Sequence, residues 1–338
     1  MKERFIVSKQ LKTIIEQDYE FNIQSIVQLK GGFANFNFKI KTTKGIFFLR
    51  IHDLITNISV VEQEHKLIRY LVANKFPTAN IILTNTKKSY IIDQNKIMVL
   101  FLWIDGKPAT NITKDVRCKV AKTLAQYHNI VRGFHEDIPK WGLSINQSLK
   151  ETIDHAIIGF VDIIFEDMPW EKSAYQVLKN KKRLDAFEKY MINIRPYLAK
   201  IRDNIRFLHK TKKINDKTII MHGDYWNNNI LFKNKNIVGV IDFDTARAGP
   251  MKMEVIKGAL EFSEFDINKL DEFIIEYQKE NPIVITKYEI LLYSQIMSMW
   301  QIGQNFKKFV LNNRKPTTKE IKTIKDHIAF LNKIDNNI

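Results

Sequence analysis

A chain of 338 residues with 45% hydrophobic content is long enough to bury a large core and to divide into two lobes. Its single cysteine, Cys118, excludes an internal disulfide framework, and no apolar run of eighteen residues is present to span a membrane. The net charge of +16 raises nucleic-acid binding, but the lysines are scattered among Asn and Ile, form no dense basic run, and accompany no nucleic-acid module pattern.

Residues 1–9 lack the apolar core of a signal peptide, so the expectation is a cytoplasmic protein with neither a membrane nor a nucleic-acid partner. The spacing over residues 8–18 predicts a short amphipathic helix. Ile23 to Leu29 alternates as a strand and runs into Gly31-Gly32. Phe36 to Lys41 and Ile46 to Ile51 follow as strands around a turn at Thr42 to Gly45. Val61 to Ala73 has helical spacing and carries two acids, Glu62 and Glu64. Past Pro77, strands are expected at Asn80 to Leu83, Ser89 to Ile92 and Lys96 to Ile104. Asp105-Gly106-Lys107-Pro108 is turn chemistry, and it divides an N-lobe of residues 1–104 from a C-lobe of residues 105–338.

Thr113 to Val131 reads as a long helix capped by Thr113, and residues 148–210 as a helical insertion. Between residues 135 and 171, eight acids stand against only two lysines in an otherwise basic chain. On a helix Glu151, Asp154, Asp162 and Glu166 share an arc of about 120°, opposite Ile153, Ile157, Phe160 and Ile164. That face is either a solvated helix surface or a cleft wall that selects a cationic substrate. The remainder, from Asn268, reads as three or four helices, with Trp300 and Phe306 as core anchors.

The chemistry gathers in Met221 to Phe232 and Gly239 to Asp244. Thr218 to Met221 and Ile230 to Phe232 are short apolar runs around a loop too rich in Asn and Asp for a helix. Ile237 to Ile241 follows an Asn-Lys-Asn turn and reads as a hairpin partner. Asp224, Asn229 and Asp242 are thereby expected at one end of the same small sheet. Such a trio suits phosphoryl transfer. One carboxylate receives or orients the hydroxyl proton, while an amide and a second carboxylate hold the metal that neutralises the phosphates. Hard oxygen donors at Asn229 and Asp242 suit Mg²⁺.

His222-x-Asp224, Asn229 five residues later and Ile241-Asp242-Phe243 on the next strand together resemble the aminoglycoside phosphotransferase and choline kinase family, a small-molecule branch of the protein-kinase fold. The resemblance implies an α+β, bilobal protein-kinase-like fold with a small β-rich N-lobe and a larger, mainly helical C-lobe. It makes Asp224 the catalytic aspartate, with Asn229 and Asp242 as metal ligands. Gly31 and Gly32 fall where backbone amides approach a phosphate. Arg50 stands where the family keeps its phosphate-contacting lysine, as in choline-kinase-like members. Glu64, seven residues before Leu71, matches the partner acid, with Glu62 as its competitor. Val99 to Gly106 resembles the segment joining the lobes, where adenine sits near Phe101 and Trp103.

By the same resemblance His222 holds the loop, and His128, in Leu124-Ala125-x-x-His128, is a core or interlobe histidine. Asp244 either assists the metal or caps the loop, and the cap is the favoured role. Glu254 stands where an Asp commonly supports the catalytic loop. The implied cofactors are ATP and Mg²⁺, and the implied reaction moves the γ-phosphate to a hydroxyl of a small, amine-bearing acceptor. The order of motifs looks most like homoserine-kinase-type members, with choline-type kinases close to it. An aminoglycoside-modifying kinase and a pseudokinase scaffold are the alternatives. The retention of Asp224, Asn229 and Asp242 together argues against the scaffold. If the acidic face lines the cleft, Glu151, Asp154, Asp162 and Glu166 select the acceptor.

Overall fold

The computed structural model describes residues 5, 7–29, 35–52, 58–93, 96–135, 174–212, 214, 216–311 and 314–337. They fall into two compact units. The first takes Met1–Asn111, Asn129–Ser144 and His222–Arg247; the second takes Ile112–His128, Ile145–Met221 and Ala248–Ile338. The first unit therefore runs past Asp105-Gly106 and takes in the segment that carries Asp224, Asn229 and Asp242.

The first unit is built on a five-stranded antiparallel sheet of β1 (Ile23–Gln28), β2 (Asn35–Thr42), β3 (Gly45–His52), β4 (Ile91–Asp93) and β5 (Lys96–Leu102), in the order β1-β2-β3-β5-β4. The register sets Phe38 opposite Leu49 and Leu49 opposite Leu100, so these side chains share one face. Helix α1 (Lys9–Tyr19) covers that face with Leu11, Ile15 and Tyr19, four residues apart, to close the core. It starts at Ser8, whose hydroxyl accepts from the Leu11 amide at 3.1 Å.

The alternate residues of β3, among them Phe48 and Arg50, point to the opposite face, on which α2 (Ile58–Ala73) brings Glu64 and His65. Asn80 to Leu83 does not form the expected strand. It contributes one bridge, Ile81 to Phe101, because the chain folds back immediately through the Thr84–Lys88 turn. A hairpin of β7 (Ile230–Lys233) and β8 (Asn236–Val240) completes the unit. Its two turn residues, Asn234 and Lys235, take φ of 51° and 65°, the left-handed pair that a two-residue hairpin loop requires. Gly239 packs directly on Ile104, where an added Cβ would lie 2.6 Å from the Ile104 Cδ1.

The second unit is mainly helical. Helix α3 (Lys114–Val131) enters it from a Thr113 cap, and α4 (Ala174–Lys179) precedes α5 (Ala186–Thr211), which opens with an Asp185/Glu188 capping box. After β6 (Thr218–Met221), which pairs with β9 (Arg247–Pro250), come α6 (Met251–Ser263), α7 (Ile267–Glu280), α8 (Lys287–Phe306) and α9 (Thr318–Asn337). Of the two expected anchors, Phe306 is buried, but Trp300 is only half-buried, with the Lys257 ammonium 5.7 Å from its ring. His128 is a core histidine. One ring nitrogen meets the Tyr277 hydroxyl at 2.7 Å and the other the Glu254 carboxylate at 2.9 Å. Among the described residues no helix is long and apolar enough to cross a membrane.

Candidate active site

His222 organises the loop that follows β6. It is fully buried, its Nδ1 accepts the Asp224 amide at 3.2 Å, and its Nε2 lies 3.1 Å from the Ile241 carbonyl. An amide at one nitrogen and a carbonyl at the other leave one consistent state, a neutral ring with its proton on Nε2. The ring also packs on Phe243, with centroids 4.5 Å apart. His222 thus ties the Asp224 backbone to the end of β8. Between them, Gly223 takes φ of +82°, and an added Cβ there would lie 2.4 Å from the Thr245 carbonyl oxygen. Only glycine fits that position without displacing the chain.

Asn229 ends the short turn Asn227–Asn229 and is buried. Its Nδ2 donates to both the Asp224 carbonyl and Asp224 Oδ2, each at 2.9 Å, and its backbone carbonyl accepts from the Ile241 amide at 2.9 Å. The amide oxygen of Asn229 and Oδ1 of Asp224 have no hydrogen-bond partner among the described residues. One carboxylate oxygen of Asp224 is therefore fixed and the other open.

Asp224, Asn229 and Asp242 do come together, though not at one end of a common sheet. The run Thr218 to Met221 leaves to pair with β9, and only Asn229 and Asp242 flank the β7–β8 hairpin. Asp224 joins them through Asn229 and His222. A short apolar run reads alike as a hairpin neighbour or as a strand of another sheet, so sequence could not separate the two.

Arg50 reaches Asp242 directly. Its Nη2 donates to Asp242 Oδ1 at 2.7 Å, and its Nη1 lies 3.7 Å from Glu64 Oε1. Glu64 falls in the buried stripe of α2, whereas Glu62 is exposed and accepts from the Tyr90 hydroxyl. Burial works against the Arg50 charge, but Asp242, Glu64 and Asp244 outweigh it and hold the guanidinium above its ordinary pKa. His65, beside Ser89, is pushed down to about 3 by burial and by Arg69, His52 and Arg50, and stays neutral.

Arg50, Glu64 and Asp242 line a cavity of about 190 Å³ whose remaining walls are largely apolar, Phe48, Phe101, Trp103 and Ile104 among them. The Phe48 and Phe101 rings lie 5.9 Å apart, and the Lys39 ammonium sits 4.3 Å over Trp103. Leu29 and Leu231 also line it and were not singled out from sequence. For Leu29 a signal existed in its place at the end of the strand before Gly31-Gly32. Gly31, Gly32 and the acidic residues Glu151, Asp154, Asp162 and Glu166 lie outside the described residues.

A family model described as the phosphotransferase enzyme family, APH, matches residues 25–283. The chain belongs to that family. This phosphotransferase is a small-molecule kinase, and its fold recurs in solved structures. A spectinomycin phosphotransferase in complex with ADP and spectinomycin is 16% identical, with a TM-score of 0.67 over 98% of this chain and 99% of that one. An aminoglycoside phosphotransferase from Alicyclobacillus acidocaldarius is 14% identical, with a TM-score of 0.68 over 99% and 97%. An amicoumacin kinase bound to AMP-PNP and Ca²⁺ is 13% identical, with a TM-score of 0.64 over 98% and 94%. No curated protein matches the chain.

Proposed function

We propose that this phosphotransferase moves the γ-phosphate of ATP to a hydroxyl of a small, amine-bearing molecule. The observation that carries the reading is the state of Asp224. One oxygen is clamped by Asn229, and the other is open to receive or orient a hydroxyl proton. Arg50 and Asp242 supply charge beside an apolar cavity suited to an adenine near Phe101 and Trp103. Positioning and charge neutralisation then carry most of the catalysis.

A magnesium ion fits the donor set. Asp242 offers a carboxylate, and Asn229, its Nδ2 spent on Asp224, offers a bare amide oxygen. Magnesium keeps several waters and takes phosphate oxygens, so two protein donors are enough to hold it beside a nucleotide. Bound there, the ion would neutralise the charge of the phosphates. Glu64 keeps Arg50 extended toward the same place.

Homoserine- and choline-type acceptors fit the motif order of the chain. The aminoglycoside reading is favoured by solved relatives that hold spectinomycin and hygromycin B. ATP consumption measured against a panel of hydroxyl-bearing amines, amino acids and aminoglycosides tests all of these, and one class is expected to stimulate turnover. Silence across the whole panel would overturn the proposal. If the face of Glu151, Asp154, Asp162 and Glu166 meets the acceptor, Asp154→Lys with Asp162→Lys raises the acceptor KM steeply and leaves the ATP KM unchanged. Normal acceptor kinetics in the double variant would return that face to solvent.

A further inference from the structure

Arg50 is held in a way that a fixed phosphate contact does not require. Its side chain is only 8% exposed, and its Nη2 is bonded at 2.7 Å to Asp242, the carboxylate assigned to the metal. Its Nε–H is buried with no acceptor among the described residues. A second acid, Glu64, stands 3.7 Å from Nη1, close enough to pair in charge with Arg50 but too far to bond to it. The Asp242 side chain, by contrast, is 32% exposed and open toward the cavity. One end of the guanidinium is thus occupied by a group that must be released, and another donor waits for an oxygen.

We infer that Arg50 stands in for the divalent cation at Asp242 until phosphates arrive, so that the chain takes metal and nucleotide together rather than metal first. This rests on the phosphotransferase site proposed above. Glu64 and Asp244 act on the Arg50 charge in the same sense as Asp242 and help to hold the guanidinium in place. With Arg50 bonded to Asp242, an incoming ion must first displace a charge-assisted hydrogen bond. A triphosphate offers Arg50 oxygens for both the waiting Nε–H and the released Nη2, and the Glu64 charge keeps the side chain nearby. Asp242 is then free. Asp242 itself sits at φ of 72°, a left-handed non-glycine conformation that aims its carboxylate at this junction.

The test measures Mn²⁺ binding to the full chain by the loss of the free-ion paramagnetic resonance signal, with and without AMP-PNP. The wild type is expected to bind Mn²⁺ weakly alone. Arg50→Gln is expected to bind it about tenfold more tightly than the wild type without nucleotide. Arg50→Lys, which restores a cation, should return most of the way to wild type. Equal or weaker Mn²⁺ binding by Arg50→Gln, with AMP-PNP still recruiting the ion, overturns the stand-in role alone. Failure of every form to bind Mn²⁺ even with AMP-PNP overturns the site assignment as well. Should Arg50→Gln not fold, arginine-labelled protein decides the matter. Metal-free tripolyphosphate should shift one Nε–H resonance that is missing in Arg50→Lys, and an unmoved resonance refutes the inference.

Discussion

Replacing Gly223 by alanine probes how tightly the loop holds Asp224. The residue sits at φ of +82°, so the side chain alone costs about 1–2 kcal/mol in a left-handed backbone. Its Cβ would then lie 2.4 Å from the Thr245 carbonyl oxygen and 2.8 Å from Arg247 Nη1, whereas real Cβ contacts essentially never fall under 3.0 Å. The carbonyl belongs to backbone, so the peptide between His222 and Asp224 must move by at least about half an ångström. Displacements near 1 Å at a reacting group cost roughly a hundredfold in rate. The expected result is a kcat reduced roughly ten- to hundredfold, with the unfolding free energy lowered by about 2–4 kcal/mol. ADP affinity should change by less than about threefold, because the apolar cavity walls at Phe48, Phe101 and Trp103 are untouched. Steady-state kinetics, urea unfolding and calorimetric ADP titration read the three quantities. A Gly223→Ala enzyme with wild-type turnover and stability would refute the steric argument.

Asp242→Ala should lose metal-dependent nucleotide affinity and turnover together, and a wild-type Mg²⁺ titration curve would dismiss Asp242 as a ligand. Asp216 is pushed up to about 6 by burial, against the bonds it accepts from Lys252, Lys217 and Tyr293 and the Lys252 charge. A carboxyl whose folded pKa is raised above the ordinary 3.8 contributes stability that is present below that value and lost as pH rises through about 6. Stability should therefore fall across that window by about 3 kcal/mol from this group, and Asp216→Asn should flatten the slope. Urea unfolding at pH 4.5 and 7.5 checks it, and parallel curves for the two proteins would contradict it.

Much of the site was legible because its signals are local. His222, Gly223, Asp224 and Asn229 sit within eight residues, and the Asn234-Lys235 turn returns the chain to Asp242. The approach of Arg50 to Glu64 was expected from the family resemblance alone, and the burial of Glu64 on α2 agrees with it. What escaped depends on distant partners. The pairing of β6 with β9 is not written in either four-residue run. The bond from Arg50 to Asp242 joins residues 192 apart in sequence. Asp216 carries no local signal in the sequence. Its role emerges only where it caps the Lys252 amide, at 3.0 and 3.1 Å, and meets the Tyr293 hydroxyl at 3.0 Å.

Asp224→Asn carries the central claim. An asparagine keeps an oxygen for the Asn229 amide, so the loop should retain its form while the open position loses its basicity. With an acceptor identified from the panel, transfer of labelled γ-phosphate to its hydroxyl can be followed in a single turnover, beside calorimetric titration of ADP. The expected outcome is a transfer rate lower by roughly 10²–10⁴, the span of general-base contributions, with ADP affinity within about threefold of wild type. Transfer within tenfold of the wild-type rate would contradict Asp224 as the group that handles the hydroxyl proton.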